Sequence, residues 1–115
     1  MKWIKIADEA IPKTAGIRKV KIGAKQVCII RYENKLHATS VRCPHAGADL
    51  SGGWCEEQRL ICPYHRHAFS LDTGRGDPGQ GDYITVYPLE ERAGEWFIGM
   101  KQGWLDKLFS DRTEK

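Results

Sequence analysis

The chain has 115 residues, of which 41% are hydrophobic and 29% are charged. A chain of this length suits one domain with one core, which argues against a two-domain enzyme. The composition is that of a globular protein and excludes a fibrous or a disordered chain. Four Cys and four His are many for so short a chain, and their roles are the main question that the sequence poses.

The formal net charge of +3 is unevenly distributed along the chain. Residues 1–35 contain nine Lys or Arg and three Asp or Glu, whereas residues 36–115 contain nine and twelve. The basic side chains of the first third stand singly among apolar ones, as on the solvated face of a β-sheet. We therefore expect no nucleic-acid partner.

The segment from Met1 to Asp8 contains neither the apolar core of a signal peptide nor a cleavage site. No apolar run approaches the roughly 18 residues that a membrane-spanning helix needs. The expectation is a cytoplasmic protein without membrane association. In that compartment clustered cysteines bind metal more often than they form disulfides.

Apolar and polar residues alternate with a period of two along much of the chain, which predicts half-buried β-strands. The alternating apolar positions are Ile4/Ile6, Val20/Ile22, Val27/Ile29, Ile84/Val86 and Trp96/Ile98/Met100. Polar residues 33–35 predict a hairpin turn, and residues 90–94 predict a second one. We expect an all-β fold of about seven to nine strands.

Two segments depart from this alternation. Between about residues 42 and 82, Gly, Pro, Cys and His interrupt the pattern, which predicts loops inserted between strands. Near the end of the chain, Trp104, Leu105, Leu108 and Phe109 have helical spacing. They predict a short amphipathic helix over about residues 103–112.

Two short segments each combine one Cys with one His, namely Cys43-Pro44-His45 and Cys62-Pro63-Tyr64-His65. Each segment fixes two ligands locally, so only one longer loop has to close to assemble a four-ligand metal site. Two thiolates and two imidazoles suit tetrahedral zinc or an iron–sulfur cluster. Zinc sites usually pair like ligands, whereas mixed pairs suit a [2Fe-2S] centre with Cys on one iron and His on the other. The spacing alone leaves both metals open.

The segments CPHAGADL at residues 43–50 and CPYHRHAFSLDTG at residues 62–74 resemble the two signatures of Rieske-type ferredoxins. The resemblance covers most of the chain and is weakest at the C-terminal helix. It implies a single domain over residues 1–115, with the fold of a Rieske-like antiparallel β-sandwich. A small cluster-binding subdomain is expected over the loops at about residues 42–82. The cofactor implied is one [2Fe-2S] cluster per chain.

The resemblance also implies roles for individual residues. Cys43 and Cys62 would bind the inner iron, and His45 and His65 would bind the outer iron near the surface. Pro78 and Gly79 would lie in a third loop that shields the cluster. No catalytic residues are expected.

The sequence departs from the family pattern after the second ligand His. The family normally has Gly there, but this chain has Arg66, so either the turn avoids a positive φ or Arg66 adopts one with strain. His67 raises the question of which imidazole binds iron. The family spacing assigns His65 and leaves His67 outside the ligand set.

The remaining Cys and His residues are expected to have ordinary roles. Cys28 lies in an apolar run and is expected to be a buried thiol. Cys55 has no partner motif, and we expect no chemical role for it. His37 lies in a predicted strand and is expected to face solvent.

Hydrogen bonds to the cluster sulfurs raise the potential of the high-potential respiratory type of Rieske protein, whose Ser and Tyr donors correspond to His67 and Phe69. Phe69 has no polar hydrogen to donate. That type also has a Cys pair at the positions of Ala48 and Tyr64. We therefore expect a potential at the low, ferredoxin-like end of the Rieske range.

The resemblance implies a one-electron carrier between a reductase and a terminal oxygenase, and not an enzyme itself. We expect the carrier to be a monomer. An oxygenase would need two further His and a carboxylate for a mononuclear iron site, and only His37 and His67 remain. A second hypothesis is a small redox or regulatory subunit of a larger complex, such as a nitrite-reductase-like enzyme. A third hypothesis is a structural zinc-binding module.

Overall fold

A computed structural model describes residues 2–44, 47–64 and 66–101 of the chain. Ten β-strands and two short 3-10 turns lie in these residues. The strands are β1 (Lys2–Lys5), β2 (Gly16–Ile22), β3 (Lys25–Tyr32), β4 (Lys35–Ser40), β5 (Trp54–Glu56), β6 (Arg59–Ile61), β7 (Ala68–Ser70), β8 (Val86–Tyr87), β9 (Leu89–Arg92) and β10 (Glu95–Met100). The 3-10 turns are Asp8–Ala10 and Leu50–Gly52.

The strands form three antiparallel sheets, whose orders are β1-β10-β9, β2-β3-β4-β8 and β5-β6-β7. The first two sheets share one apolar core and constitute the base of the molecule, residues 2–40 and 84–101. The third sheet and the loops around it constitute the loop lobe, which we define as the described part of residues 41–83. The expected all-β fold is confirmed, with ten short strands where about seven to nine were predicted.

Strand β3 separates two cores. Successive side chains of a strand point to opposite faces. Val27 and Ile29 therefore lie in the core of the base, whereas Cys28 and Ile30 lie in the core of the loop lobe. All four side chains are fully buried, which explains why this strand is a continuous apolar run rather than an alternating one.

The core of the loop lobe brings the two predicted metal-binding cysteines into apolar surroundings. Cys43 and Cys62 pack there with Leu50, Leu60 and Phe69. Each of these five side chains is at most 1% exposed. The fold therefore places both thiols beneath the loops and beyond the reach of bulk solvent.

Two-residue turns with positive φ close three hairpins: Glu33-Asn34, Glu57-Gln58 and Ala93-Gly94. Positive φ at both central residues matches the right-handed twist of the flanking strands. The predicted hairpin at residues 33–35 is therefore present. The prediction of a turn over residues 90–94 was too long, because β9 continues to Arg92 and pairs with β10.

The predicted helix over about residues 103–112 lies outside the described residues. Within the described ranges, no helix has the length and apolar character required to span a membrane.

Candidate metal centre

The first loop, residues 41–50, is closed by backbone hydrogen bonds on both sides of Cys43. The Leu50 N–H donates to the Val41 carbonyl at 2.7 Å, and the Cys43 N–H donates to the Ala48 carbonyl at 2.9 Å. The Gly47 N–H donates to the Cys43 carbonyl at 2.7 Å, with Gly47 at a φ of 69° that favours glycine. These bonds hold the backbone of Cys43 in one position.

The second loop, residues 62–67, joins β6 to β7 as an extension of their hairpin. The Cys62 N–H donates to the His67 carbonyl at 2.7 Å, which closes the base of the loop. The backbone N–H of Tyr64 forms a hydrogen bond with the Cys62 sulfur. A donor of this kind stabilises negative charge on sulfur, as a thiolate ligand requires.

The two thiols meet in the core of the loop lobe. The Cys43 side chain hydrogen bonds to that of Cys62, so the two sulfurs are neighbours. Burial is the main cause that raises the pKa of the Cys62 thiol, and the adjacent Cys43 raises it further. Two buried, adjacent thiols cannot both ionise without a cation between them, and binding of a metal would remove their protons.

The donor chemistry of this pair fits a soft metal such as iron or zinc. His45 and His65, the other two predicted ligands, lie outside the described residues. Consistent with this, the described residues contain no cluster of three or more His, Cys, Asp or Glu that could hold a metal by itself. The structure therefore brings together half of the predicted ligand set.

Burial also shifts the pKa of the two other cysteines. Burial raises the pKa of Cys28 to about 11 and that of Cys55 to about 11. Cys28 is fully buried, as expected, and Cys55 packs at the edge of the same core. Burial raises the pKa of Cys62 as well, so these shifts do not separate ligands from non-ligands, and Cys28 and Cys55 are left out because neither lies in a Cys–His segment.

Arg66 adopts a positive φ of 53°, the second of the two possibilities that the missing glycine left open. Among the described non-glycine residues with positive φ, it is the one that lies outside a two-residue hairpin turn. Its guanidinium lies 5.2 Å from the centre of the Trp54 ring and 3.6 Å from Glu56. These contacts with β5 compensate part of the backbone strain.

The third loop, residues 74–83, packs against β7. It includes Pro78 and Gly79, which the sequence placed in a shielding loop. The Asp77 carboxylate pairs with Arg59 of β6 at 2.5 Å, and its backbone N–H donates to the Ala68 carbonyl at 3.1 Å. Asp82 carries a carboxylate oxygen 3.6 Å from Nδ1 of His67. Sequence reasoning missed these ties, because nothing in the spacing of the loop residues marks them.

His37 does not face solvent as predicted. It is 6% exposed, and its ring N–H donates to the backbone carbonyl of Leu71. Residues 36–39 of β4 are all buried, so both faces of this strand are covered, and the bond to Leu71 shows that the loop lobe covers the face of His37. Strand alternation indicates which residues share a face, but not whether another layer covers that face.

Comparisons with known proteins identify the family. The Rieske [2Fe-2S] domain family matches residues 2–87. The ferredoxin component of the naphthalene 1,2-dioxygenase/salicylate 5-hydroxylase systems of Ralstonia sp. is 32% identical over 91 residues, which are 76% of this chain and 86% of that protein.

Two solved structures are similar in fold. One is reported as a complex of reduced oxygenase and oxidized ferredoxin in carbazole 1,9a-dioxygenase. Its matching chain is 28% identical, with a TM-score of 0.70 and coverage of 84% of this chain and 92% of that one. The other is a putative NADH-dependent nitrite reductase small subunit from Mycobacterium tuberculosis, with 23% identity, a TM-score of 0.73 and coverage of 87% and 96%. At that identity the second likeness shows the fold alone.

These comparisons confirm the predicted family, β-sandwich fold and cofactor. They also confirm the prediction of a ferredoxin-type electron carrier, because the curated relative is itself a ferredoxin component rather than an enzyme. The hypothesis of a structural zinc module is set aside, since the matching family carries iron and inorganic sulfide. The chain belongs to the Rieske [2Fe-2S] domain family and carries one [2Fe-2S] cluster.

Proposed function

We propose that Cys43, His45, Cys62 and His65 hold the cluster, with the thiolates on the inner iron and the imidazoles on the outer iron. The observation that supports this assignment most directly is the contact between the Cys43 and Cys62 thiols in a dry core. Mixed Cys and His ligation of this kind distinguishes Rieske centres from clusters with four Cys ligands. The whole chain, residues 1–115, forms the one domain that carries this centre.

The function that follows is one-electron transfer between a reductase and a terminal oxygenase. The bound cluster would accept and release the electron. The protein's own residues bury the sulfurs of Cys43 and Cys62 and donate the Tyr64 N–H to one of them. The ferredoxin relative of an oxygenase system and the carbazole dioxygenase complex support these partners.

Docking to these partners would use the exposed residues of the second loop. Tyr64 is 59% exposed, and it stands next to the proposed ligand His65. The Arg66 side chain is 67% exposed and lies on the other side of His65. Tyr and Arg are enriched among the residues that dominate binding energy at protein interfaces. A small interface at this end would bring the outer iron close to a partner while allowing rapid release.

We place this carrier in the cytoplasm as a monomer. None of the four cysteines forms a disulfide. Reduced thiols are typical of a reducing compartment, and cluster assembly on Cys43 and Cys62 needs them in that state.

The spectrum of the purified protein tests the ligand set. We expect a coloured protein as isolated, and an EPR signal with the low average g value of a Rieske centre after reduction with dithionite. A colourless, EPR-silent protein loaded with zinc would contradict the proposal. Anaerobic titration should consume one electron per chain.

Partner exchange tests the carrier role separately. The chain would replace the ferredoxin component in a naphthalene 1,2-dioxygenase assay with the reductase and oxygenase held constant. Product formation above the level without any ferredoxin is expected, and it should fall when Arg66→Glu is used. A protein with an intact Rieske spectrum that supports no turnover with any tested oxygenase system would contradict the proposed partners but not the cluster.

A further inference from the structure

The edge of β7 that faces away from β6 is lined by the third loop, through a β-bridge between Phe69 and Gly76. Ala68 lies opposite Ile61 of β6, and the next pair along the strands is bonded through the Cys62 N–H and the His67 carbonyl. In an antiparallel sheet, bonded and non-bonded pairs alternate. The N–H and carbonyl of Ala68 therefore point away from β6. Ala68 is 3% exposed, so its N–H and carbonyl cannot be satisfied by bulk water. Buried backbone groups of this kind need partners within the protein.

The side chain of Gln80 bonds both groups: it provides the partner of the Ala68 N–H, and it joins the backbone N–H of Asp77, at 3.1 Å, as a donor to the Ala68 carbonyl. Its Oε1 accepts a hydrogen bond from the Ala68 N–H at 3.0 Å, and its Nε2 donates to the Ala68 carbonyl at 3.2 Å. A carboxamide has the same donor and acceptor as a peptide group, so one side chain bonds both backbone groups of Ala68. The same Nε2 also donates to Oδ1 of Asp82 at 3.1 Å.

The third loop is shaped to bring Gln80 to this position. A Cβ atom at Gly76 would lie 2.5 Å from Nε2 of Gln80 and 2.7 Å from Oδ1 of Asp82. Only glycine therefore leaves room for the contact between these two side chains. The Gln80 N–H donates to the Asp77 carbonyl at 3.0 Å, which fixes the turn that presents the side chain.

Ala68 directly follows the second loop, which carries the proposed ligands Cys62 and His65. The loop follows the end of β6 and precedes Ala68, the first residue of β7. The pairing of β6 with β7 holds the two ends of the loop together. We propose that Gln80 is a positioning residue for the metal centre, because it clamps Ala68 and so sets the geometry of the ligand loop. This inference rests on the ligand set proposed above.

Two substitutions at Gln80 test the clamp. Gln80→Ala removes both hydrogen bonds, whereas Gln80→Glu keeps the length and the acceptor but loses the donor and faces the Asp82 carboxylate. We expect altered EPR g values in the reduced protein and release of iron to a chelator that is faster by about tenfold or more. Hydrogen exchange measured by mass spectrometry should accelerate in the peptide that contains Ala68.

Asp77→Asn is the matched control. It weakens the ion pair that ties the same loop to Arg59, but it leaves the backbone of Asp77 and the Gln80 side chain in place. We expect a lower melting temperature with unchanged g values and unchanged iron release. If Asp77→Asn altered the spectrum as much as Gln80→Ala does, general loosening of the loop would explain both effects and the positioning role would be wrong.

The spectrum of the wild-type protein separates the two proposals. If the wild-type protein has a Rieske signal but both Gln80 variants match it in g values and iron release, the clamp is wrong and the ligand set stands. If the wild-type protein has no such signal, the ligand set and the clamp fall together. Should Gln80→Ala not fold, the isosteric Gln80→Glu variant decides by the same measurements.

Discussion

The base and the loop lobe are held together in different ways. In the base, β2, β3 and β4 have seven, eight and six residues and pair over most of their length. In the loop lobe, β5, β6 and β7 have three residues each. Side-chain bonds add to these short strands. Gln80 bonds the backbone of Ala68, and Arg59 bonds the carboxylate of Asp77.

This difference indicates where the metal contributes to stability. We expect the long paired strands and the apolar core of the base to hold it together without a metal. The loop lobe has few strand-to-strand backbone hydrogen bonds. Two of its core side chains, Cys43 and Cys62, are proposed metal ligands. Metal binding and folding are thermodynamically coupled in such a site. The loop lobe should therefore depend on the cluster and the base should not.

Loss of a cysteine ligand should have the largest effect. Cys43→Ser and Cys62→Ser are each expected to abolish the cluster, because a buried hydroxyl is a far weaker iron ligand than a thiolate. Iron analysis and EPR would measure the loss. In hydrogen exchange, the loop lobe should lose protection while β2, β3 and β4 keep theirs.

Cys55→Ser serves as the control for these variants. Cys55 belongs to the same lobe and packs against the same core, but it has no place in the proposed ligand set. Full iron content is expected in this variant. A protein that lost its cluster on replacement of Cys55 and kept it on replacement of Cys43 would reverse the assignment.

Truncation of the two cores should separate the lobes further. Ile98 lies in the core of the base and Leu50 in that of the loop lobe, and both are fully buried. Replacement of either by Ala is expected to lower the free energy of unfolding by about 2–5 kcal/mol. Urea unfolding would measure this loss. Iron release to a chelator should accelerate in Leu50→Ala only, and equal acceleration in Ile98→Ala would show that the lobes do not unfold separately.

The same contrast explains which features could be predicted from the sequence. Strands such as β2 and β10 could be predicted, because apolar residues recur at every second position in the second half of β2 and in β10. The two Cys–His segments could also be predicted, because the ligands of each are close in sequence. Strand β9 was missed because residues 90–92 are charged, and its pairing with β10 compensates for its low strand propensity.

Features that depend on contacts between the lobes could not be predicted. His37 is buried because the loop lobe covers β4, and no local sequence pattern indicates that contact. The clamp by Gln80 joins residues 12 positions apart through a side chain. Such a tie has no period and no motif, so only the folded structure reveals it.

His37 of the base contacts Leu71 of the loop lobe, and its burial there should make the free energy of unfolding depend on pH. Burial is the main cause that lowers the pKa of His37, and Lys35 lowers it further, while Asp72 and the Leu71 carbonyl raise it less. The unfolded chain therefore binds a proton more readily than the folded one. Stability should be unaffected above about pH 6.5 and should fall as the pH drops below that value.

His37→Asn removes this titration while keeping an N–H donor. The wild-type free energy of unfolding should fall more steeply than that of the variant between pH 7 and pH 5, with a difference in slope no larger than about 1.4 kcal/mol per pH unit. Urea unfolding at several pH values would measure both slopes. Identical slopes would mean that protonation of His37 does not separate the lobes.

The smallest effect is expected at Asp49, which ties the loop lobe to the edge of the base. Its carboxylate accepts hydrogen bonds from Lys19 of β2 at 2.5 Å and from the Ser51 N–H at 2.9 Å. The Lys19 hydrogen bond is the main cause that lowers the pKa of Asp49 to about 2. Both side chains of this ion pair are about one-third exposed, at 38% and 33%, so solvent screens it.

Replacement of Asp49 by Asn keeps the acceptor for the Ser51 N–H and removes only the charge. We expect a loss of at most about 1 kcal/mol at pH 7, measured by urea unfolding. The depressed pKa means that the wild-type carboxylate contributes above about pH 4 and loses this contribution as the pH falls towards about 2. The free energies of unfolding of the two proteins should therefore converge in acid.

Asp49→Ala should cost about 1 kcal/mol more than Asp49→Asn at every pH, because it also removes the cap of the Leu50–Gly52 turn. Equal losses for the two substitutions would show that the cap of the Leu50–Gly52 turn adds nothing to stability beyond the ion pair.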